Sequence, residues 1–309
     1  MKVSALFLLL AFVLYGTSAL AKDVSAVDLF NSAKSSPGGI INDVYVITVP
    51  ASDVLVIPAG SSFVLDGHGL FVSAAKVRLE GDVEIRAFDK NSAGKKTEGT
   101  GPGYSPPIAA TGPTPDRNGE KGANGHQGNP GSEGGKGNPA NLISIEIDEF
   151  SGSGVLRILN EGQKGGEGQK GGLGQSGGEG GGGKGAIDNG VNCQSGGGNP
   201  VPGGDGGIGG DGGIGGLGGK GGKVVLNCAV AGLLDKGVIV SVRGGEGGIG
   251  GLRGDNGEGG PVGRAGDGSG LCKGGSASGI DPGRKLEQAT DRWKTGIQGE
   301  EGRIVKRCP

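Results

Sequence analysis

The sequence predicts a mainly β or irregular fold, in which a base of β-strands, built as a sheet or a β-solenoid, carries long glycine-rich loops. Three observations support this fold class. Glycine recurs at every third position in four separate tracts, and short segments rich in β-branched residues lie between the tracts. One such segment recurs as GDVEIRAF, SGVLRILN and KGVIVSVR, each time before a glycine-rich excursion. A repeated β-unit of this kind indicates a repeat architecture.

The N-terminus has the features of a secretory signal peptide. Lys2 precedes the apolar run ALFLLLAFVLYG, which is followed by the small-residue site Ala19-Leu20-Ala21. This order is typical of a cleaved export signal, and the run is too short for a membrane-spanning helix. We therefore expect residues 1–21 to be removed and the protein to be secreted, to the extracellular space or a cell surface, without membrane insertion.

The composition limits the function classes. The chain has 309 residues, a formal net charge of -2, and only one Trp, three Tyr and seven Phe. This charge gives no electrostatic basis for binding nucleic acid, and so few aromatic residues disfavour one large hydrophobic core. His68 and His126 are isolated, and the cysteines form no C-x-x-C motif, so we expect neither a zinc site nor any other cofactor.

The chain divides into a β region and the glycine-rich excursions. In residues 22–88 the stretches VLVIPAG, SSFVLDG and LFVSAA predict successive short strands of a solenoid-like region. Residues 89–302 hold the excursions, interleaved with two segments, 141–160 and 223–243, whose alternating pattern about a polar turn predicts β-hairpins. AKVRLEGDVEIRAF shows the same strand-pair pattern. Residues 303–309 predict a closing strand with the C-terminal Cys308, and 284–294 is the only segment expected to form a helix in the mature chain.

The four tracts, 119–137, 162–183, 203–221 and 245–266, contain runs of seven, eight, seven and eight glycines at every third position. Two structures use this period. One is the collagen triple helix, and the other is a bundle of left-handed, three-residue polyglycine-II helices whose glycine faces let backbones touch. Only Pro130 and Pro261 lie inside the tracts, which favours the bundle. Because the bundle is favoured, a monomer is favoured over a trimer. A collagen-like triple helix, which would be a trimer, remains the structural alternative.

The third tract is predicted to lie at the centre of the bundle. It reads GGDGGIGGDGGIGGLGGKGG, with two glycines in every triplet. A helix without internal hydrogen bonds needs neighbours for its N–H and C=O groups, and a central helix needs glycine on more than one face. Each tract would span roughly 55–65 Å at about 3.1 Å per residue.

The four cysteines of an exported chain predict two disulfides. Cys193 and Cys272 each follow a tract that leads away from the base, whereas Cys228 and Cys308 lie in predicted base strands. This topology favours the pairs Cys193–Cys272 and Cys228–Cys308. Each closes a loop of about 80 residues, which contributes on the order of 4–5 kcal/mol in the chain-entropy model.

The chain has glycine at every third position of its tracts, cysteines near the tract ends and a signal peptide. In these features it resembles the polyglycine-II bundle proteins, a group that includes the snow flea antifreeze proteins and some phage tail-tip adhesins. The resemblance covers roughly residues 119–266 and is one of periodicity. It implies a glycine-helix bundle, with either ice binding or adhesion as its function. An ice-binding face needs a flat array of small residues, whereas the outward positions here are charged or bulky: Lys164, Glu167, Lys170, Asp205 and Ile208.

Two groups of residues are candidate contact sites. Tyr104 and Trp293 lie in irregular segments, where an aromatic side chain could anchor a partner or simply cover the edge of the bundle. Arg253-Gly254-Asp255 is an RGD tripeptide, which many cell-surface receptors bind, but this triplet also arises easily by chance in a tract with fixed glycines. No catalytic constellation stands out, so the protein is not expected to be an enzyme. A secreted enzyme with a bundle insertion is the least favoured reading.

The favoured function is that of a secreted, non-enzymatic adhesive or structural protein of a cell surface or extracellular matrix. Its partner would be a component of that surface or matrix, bound through the far loops near residues 186–202 and 267–282. The alternatives are an ice-binding protein and a collagen-like trimeric structural protein.

Overall fold

Parallel β-strands form the base of the molecule in the computed structural model, which describes residues 21–35, 40–94, 119–287 and 293–308. The described chain is mainly β, with two helices. In chain order the elements are β1 (Asp23–Ser25), α1 (Ala26–Ser35), β2 (Ile40–Ile41), β3 (Val44–Thr48), β4 (Val54–Ile57), β5 (Ser62–Val64), β6 (Gly69–Leu79), β7 (Val83–Arg86), β8 (Ile143–Gly152), β9 (Leu156–Leu159), β10 (Ile187–Asp188), β11 (Cys193–Ser195), β12 (Lys223–Asn227), α2 (Cys228–Ala231), β13 (Val238–Ser241) and β14 (Arg303–Arg307).

The base strands belong to two sheets, between which the chain alternates. The larger sheet has the order β1-β4-β6-β8-β12-β14, with β3 beside β6 and β2 beside β3, and the smaller has the order β13-β9-β7-β5. Apart from β2 with β3, every pairing in these two sheets is parallel. The predicted short strands at VLVIPAG and SSFVLDG correspond to β4 and β5, whereas LFVSAAKVRL forms one long strand, β6.

The β-hairpins predicted at 141–160 and 223–243 are wrong. β8 and β9 flank the first of these turns but lie in different sheets, and β12 and β13 do the same at the second. The turn carries the chain from one sheet to the other and stacks on the turn of the preceding unit. Gly152 and Gly154 make this stacking feasible, because both have positive φ, and a Cβ there would lie closer than 3.0 Å to Leu79 and Gly81.

The repeated unit is confirmed at β7, β9 and β13, with one correction of register. Val83 pairs with Leu156, which in turn pairs with Val238, so GDVEIRAF and KGVIVSVR align as predicted. SGVLRILN is shifted by one residue, because Leu156 rather than Val155 stands opposite Val83. Side chains alternate along a strand, and this register places the larger Leu156 and Ile158 in the buried core.

The helix α1 was not predicted, and the helix expected at 284–294 is absent from the described parts of that segment, 284–287 and 293–294. In α1, Ala26, Phe30 and Ala33 are buried at helical spacing. The ring of Phe30 contacts those of Tyr45 and Phe63, each at a centroid distance of 5.2 Å. A helix of ten residues gives a weak pattern, so its packing against the sheets decides its formation.

The glycine tracts bond to one another through their backbones at every third residue. The first and third tracts run parallel, with Gly125 donating to the carbonyl of Asp205 and Gly137 to that of Leu217, both at 2.8 Å. The first and second run antiparallel, with Gly172 donating to Asn129 at 2.7 Å. A fifth stretch, residues 283–287 and 293–302, runs beside the third and fourth tracts; we call it the return segment.

The third tract bonds to four neighbours, which agrees with its predicted central position. It accepts from the first tract, as given above, and from the fourth, where Gly254 donates to Gly210. It donates to the second tract and to the return segment, as in the bond from Gly218 to Ile297 at 2.9 Å. Its doubled glycine follows from this arrangement, because both glycines of a triplet face another backbone.

Close approach explains why these positions must be glycine. A Cβ at Gly213 would lie closer than 3.0 Å to the carbonyl of Ser132 in the first tract, and a Cβ at Gly212 would meet Gly251 in the fourth. Backbone atoms cannot yield as a flexible side chain can. Substitution therefore separates two tracts and breaks the hydrogen bonds between them.

We predict that Gly213→Ala destabilises the protein by about 3 kcal/mol or more, because the added methyl group has no space between two backbones. Gly237→Ala is the matched control, since Gly237 lies in a turn with no atom near its added Cβ. Thermal unfolding followed by circular dichroism measures both. Equal melting temperatures for the two variants would contradict the close packing of the tracts.

Candidate binding surface at the tip of the bundle

The far end of the tracts carries a small structure closed by a disulfide. β10 and β11 pair antiparallel just beyond the second tract, and Cys193 of β11 is bonded to Cys272 beyond the fourth, with a Cα–Cα distance of 4.9 Å. The second disulfide joins Cys228 and Cys308 in the base. Both predicted pairings are confirmed. We call residues 186–195 and 267–275 the tip.

Asp188 holds the two halves of the tip together. Its carboxylate accepts a hydrogen bond from the backbone N–H of Leu271 at 2.5 Å and another from Gly190 at 2.7 Å. These two bonds, the one from Leu271 first, hold the pKa of Asp188 below the ordinary value of an aspartate, because they stabilise the ionised form. Gly270 adopts φ +51° directly over this carboxylate, where a Cβ would collide with Asp188 Oδ2.

Three aliphatic side chains are exposed on this rigid tip. Val191 is 75 % exposed, Leu271 is 64 % exposed, and Ile187 is 47 % exposed. The turn that presents Val191 is fixed by Asn189, whose side-chain oxygen accepts from the N–H groups of Val191 and Asn192. Where hydrogen bonds already fix the backbone, exposed apolar side chains make contacts with little further loss of backbone entropy, which suits a contact surface. Contacts were predicted in these loops but not at these residues, although aliphatic residues next to the cysteines and outside the glycine period are a usable signal.

The sides of the bundle are lined with ion pairs. On the third tract, Asp205 faces Arg284 of the return segment, and Lys220 pairs with Glu300 at 2.7 Å. The backbone N–H of Arg284 donates to Asp205 at 2.8 Å, and this bond is the main reason that the pKa of Asp205 is lowered. Exposed pairs of this kind contribute about 0–1 kcal/mol each, so they fix side-chain positions more than they stabilise the fold.

The RGD residues are part of the packing of the tracts. Arg253 is paired with Asp211 of the third tract at 2.6 Å, and Asp255 with Lys170 of the second, also at 2.6 Å. Gly254 is buried, and its N–H donates to Gly210. Both charged side chains would have to leave these partners in order to contact a receptor.

Trp293 takes the place of a tract glycine in the return segment. Its backbone N–H donates to the carbonyl of Gly251 at 2.7 Å, and its side chain is 38 % exposed at the side of the bundle. Trp293 therefore lies apart from the tip. Tyr104, the other predicted aromatic contact, lies outside the described residues.

No group of three or more His, Cys, Asp or Glu side chains in residues 21–35, 40–94, 119–287 and 293–308 could hold a metal ion. Neither of the two helices in that same part of the chain has the length and apolar character needed to cross a membrane.

Comparisons with known proteins give little guidance. No protein-family model matches the chain, and no curated protein matches it. Among solved structures it has a weak likeness to a springtail antifreeze protein from Granisotoma rainieri, described as a nine polyproline type II helical bundle. The two are 20 % identical over 64 % of this chain and 94 % of the other, with a TM-score of 0.09. At that score the likeness supports no conclusion on fold or function.

We predict that the order of the tip depends on pH. Because the folded pKa of Asp188 is lowered, its contribution to tip stability is complete above the ordinary aspartate pKa of about 3.9 and is lost as the pH falls through the lower folded value. The amide proton shifts of Leu271 and Gly190 in NMR spectra should titrate with a midpoint below that ordinary value. Asp188→Asn should abolish this titration, and a midpoint at or above the ordinary value would contradict the assignment.

Proposed function

We propose that this chain is a secreted, non-enzymatic adhesive or structural protein of a cell surface or extracellular matrix. In this proposal a β-solenoid base carries a bundle of polyglycine-II helices, and the bundle holds the tip away from the base. The partner is a component of the same surface or matrix, and the protein acts as a monomer.

The bonding pattern of the tracts supports the polyglycine-II assignment. A helix with three residues per turn repeats its environment at every third residue, and it has no hydrogen bonds within itself. The tract bonds recur with this period and join different tracts, as in the series from Gly125, Gly128 and Gly131 to the third tract. The two sheets support the solenoid assignment, because successive units stack their strands in parallel.

The two disulfides support secretion. Disulfides persist in oxidising compartments, and here they close loops of 79 and 80 residues in a chain rich in glycine. Glycine loses the most conformational freedom on folding, so loop closure by a disulfide offsets part of that entropy.

The adhesive function is inferred from the exposed apolar side chains at the tip. Val191 and Leu271 are largely exposed, yet their backbones are fixed by Asn189 and Asp188 and by the disulfide between Cys193 and Cys272. A preorganised apolar surface at the end of a bonded bundle can contact a partner without first being ordered.

We predict that the tip carries the adhesion. The oxidised protein from residue 22 onward is applied to cells, to a glycan array and to immobilised matrix proteins, and bound protein is measured by fluorescence. The double variant Val191→Ser/Leu271→Ser should lose about tenfold or more in retention, because two apolar contacts are removed from the interface.

The matched control is Leu173→Ser/Ile297→Ser, which removes two aliphatic side chains, 51 % and 73 % exposed, from the sides of the bundle. It should retain wild-type binding. No binding of the wild-type protein to any of the three surfaces, or equal loss in both double variants, would contradict the proposal.

Ice binding is the second candidate, favoured by the regular spacing of the outward side chains. The third tract places Asp205, Ile208, Asp211 and Ile214 at every third position along a hydrogen-bonded backbone. The aspartates in this row are paired with arginines, whereas a flat row of small residues suits an ice surface better. Thermal hysteresis and inhibition of ice recrystallisation test this candidate, and the absence of both removes it.

A further inference from the structure

The three strands that lead into the glycine excursions end side by side around a cavity. β7, β9 and β13 are in register in the smaller sheet, with Ile85, Ile158 and Val240 in one row. The chain that leaves each strand lines the cavity, which has a volume of about 310 Å³. The cavity lies at the base end of the second and fourth tracts, and the tip lies at their opposite end. A cavity of this size is at the lower limit of small-molecule sites.

The lining is polar, and its charges nearly balance. Among the described residues that line the cavity, Phe88 and Leu159 are the only ones with apolar side chains. The wall carries three acidic residues and four basic ones: Asp89, Glu161 and Glu246, and Arg86, Lys90, Lys164 and Arg243.

Several of these side chains are held in place by the fold. Glu161 accepts from the hydroxyl of Ser241 at 2.5 Å, and Arg86 is bonded to Glu84. Phe88 is packed against Gly67, where a Cβ would lie 2.9 Å from the ring. Groups fixed in this way are preorganised for a ligand.

One polar group in the wall has no partner among the described residues. The hydroxyl oxygen of Ser92 is buried, and no hydrogen bond satisfies it within the described chain. Ser92 lines the cavity together with Lys164. A buried hydroxyl without a partner costs free energy, and a ligand recovers that cost if the Ser92 side chain turns towards the cavity and bonds to it.

The chemistry of the wall selects a class of ligand. Because four basic and three acidic side chains nearly cancel, the wall favours neither an anion nor a cation strongly, and with only two apolar side chains it disfavours a hydrophobic molecule. Carboxylate, guanidinium and hydroxyl groups together supply both acceptors and donors, and Phe88 supplies an apolar surface. We propose that this cavity binds a neutral sugar of pyranose size, whose hydroxyl groups bond to the charged side chains and to Ser92.

The site is separate from the tip, so the sugar proposal and the adhesive function can fail independently. The neutral sugars tested are the methyl glycosides of glucose, galactose and mannose, and N-acetylglucosamine, with glucuronate as the anionic comparison. Each is titrated into the oxidised protein from residue 22 onward. Binding is followed by saturation-transfer NMR and isothermal calorimetry. At least one of these sugars should bind, and Arg243→Gln should raise its dissociation constant about tenfold or more, because a charge-assisted hydrogen bond is lost.

Arg264→Gln is the matched control. Arg264 stands in the same outward row of the fourth tract, and its carbonyl accepts from Gly183 just as that of Arg243 accepts from Gly162. Only Arg243 lines the cavity. Equal melting temperatures for the two variants show that both fold, and Ser92→Ala provides a second test with the charge unchanged, since it should also weaken binding. The proposal is overturned if none of the sugars binds, if only glucuronate binds, or if Arg264→Gln weakens binding as much as Arg243→Gln.

Discussion

Backbone hydrogen bonds between neighbouring glycine tracts are the interaction on which the rest of the molecule depends. Most of them form where two backbones approach closely enough to exclude a Cβ, as at Gly213 beside Ser132 and at Gly254 beside Gly172. A tract forms no bonds within itself, so most of its bonded backbone groups have their partners on neighbouring tracts. The tracts are therefore ordered together, and the ordered base that launches each excursion, along with the two disulfides, reduces the entropy that so much glycine loses.

The same constraint explains where glycine is replaced. In the fourth tract Gly247, Gly250 and Gly259 face the backbone of the return segment. Arg253 and Asn256 have the same phase, and their side chains bridge to neighbouring segments instead. Arg253 pairs with Asp211, while Asn256 accepts from Gly209 and donates to Glu287. The RGD sequence is thus accounted for by packing, because its arginine and aspartate both bridge tracts.

The periodic parts of the molecule could be predicted from the sequence, because a close approach at every third residue requires glycine at every third position. The central position of the third tract and both cysteine pairs follow from the tracts that this period defines. The path of the base could not, because an alternating pattern around Gly154 is the same for a hairpin as for a chain that crosses between sheets. The contact between Asp188 and Leu271 was also missed, because it joins residues far apart in the sequence through a carboxylate and a backbone amide.

The solution mass of the oxidised protein from residue 22 onward, measured by light scattering on a sizing column, tests the central claim most directly. If the tracts satisfy one another within one chain, the protein has the mass of one chain and keeps it on dilution. A mass of three chains that falls to one as a triple-helix dichroism signal is lost would contradict the account, because the tracts would then bond between chains as in collagen.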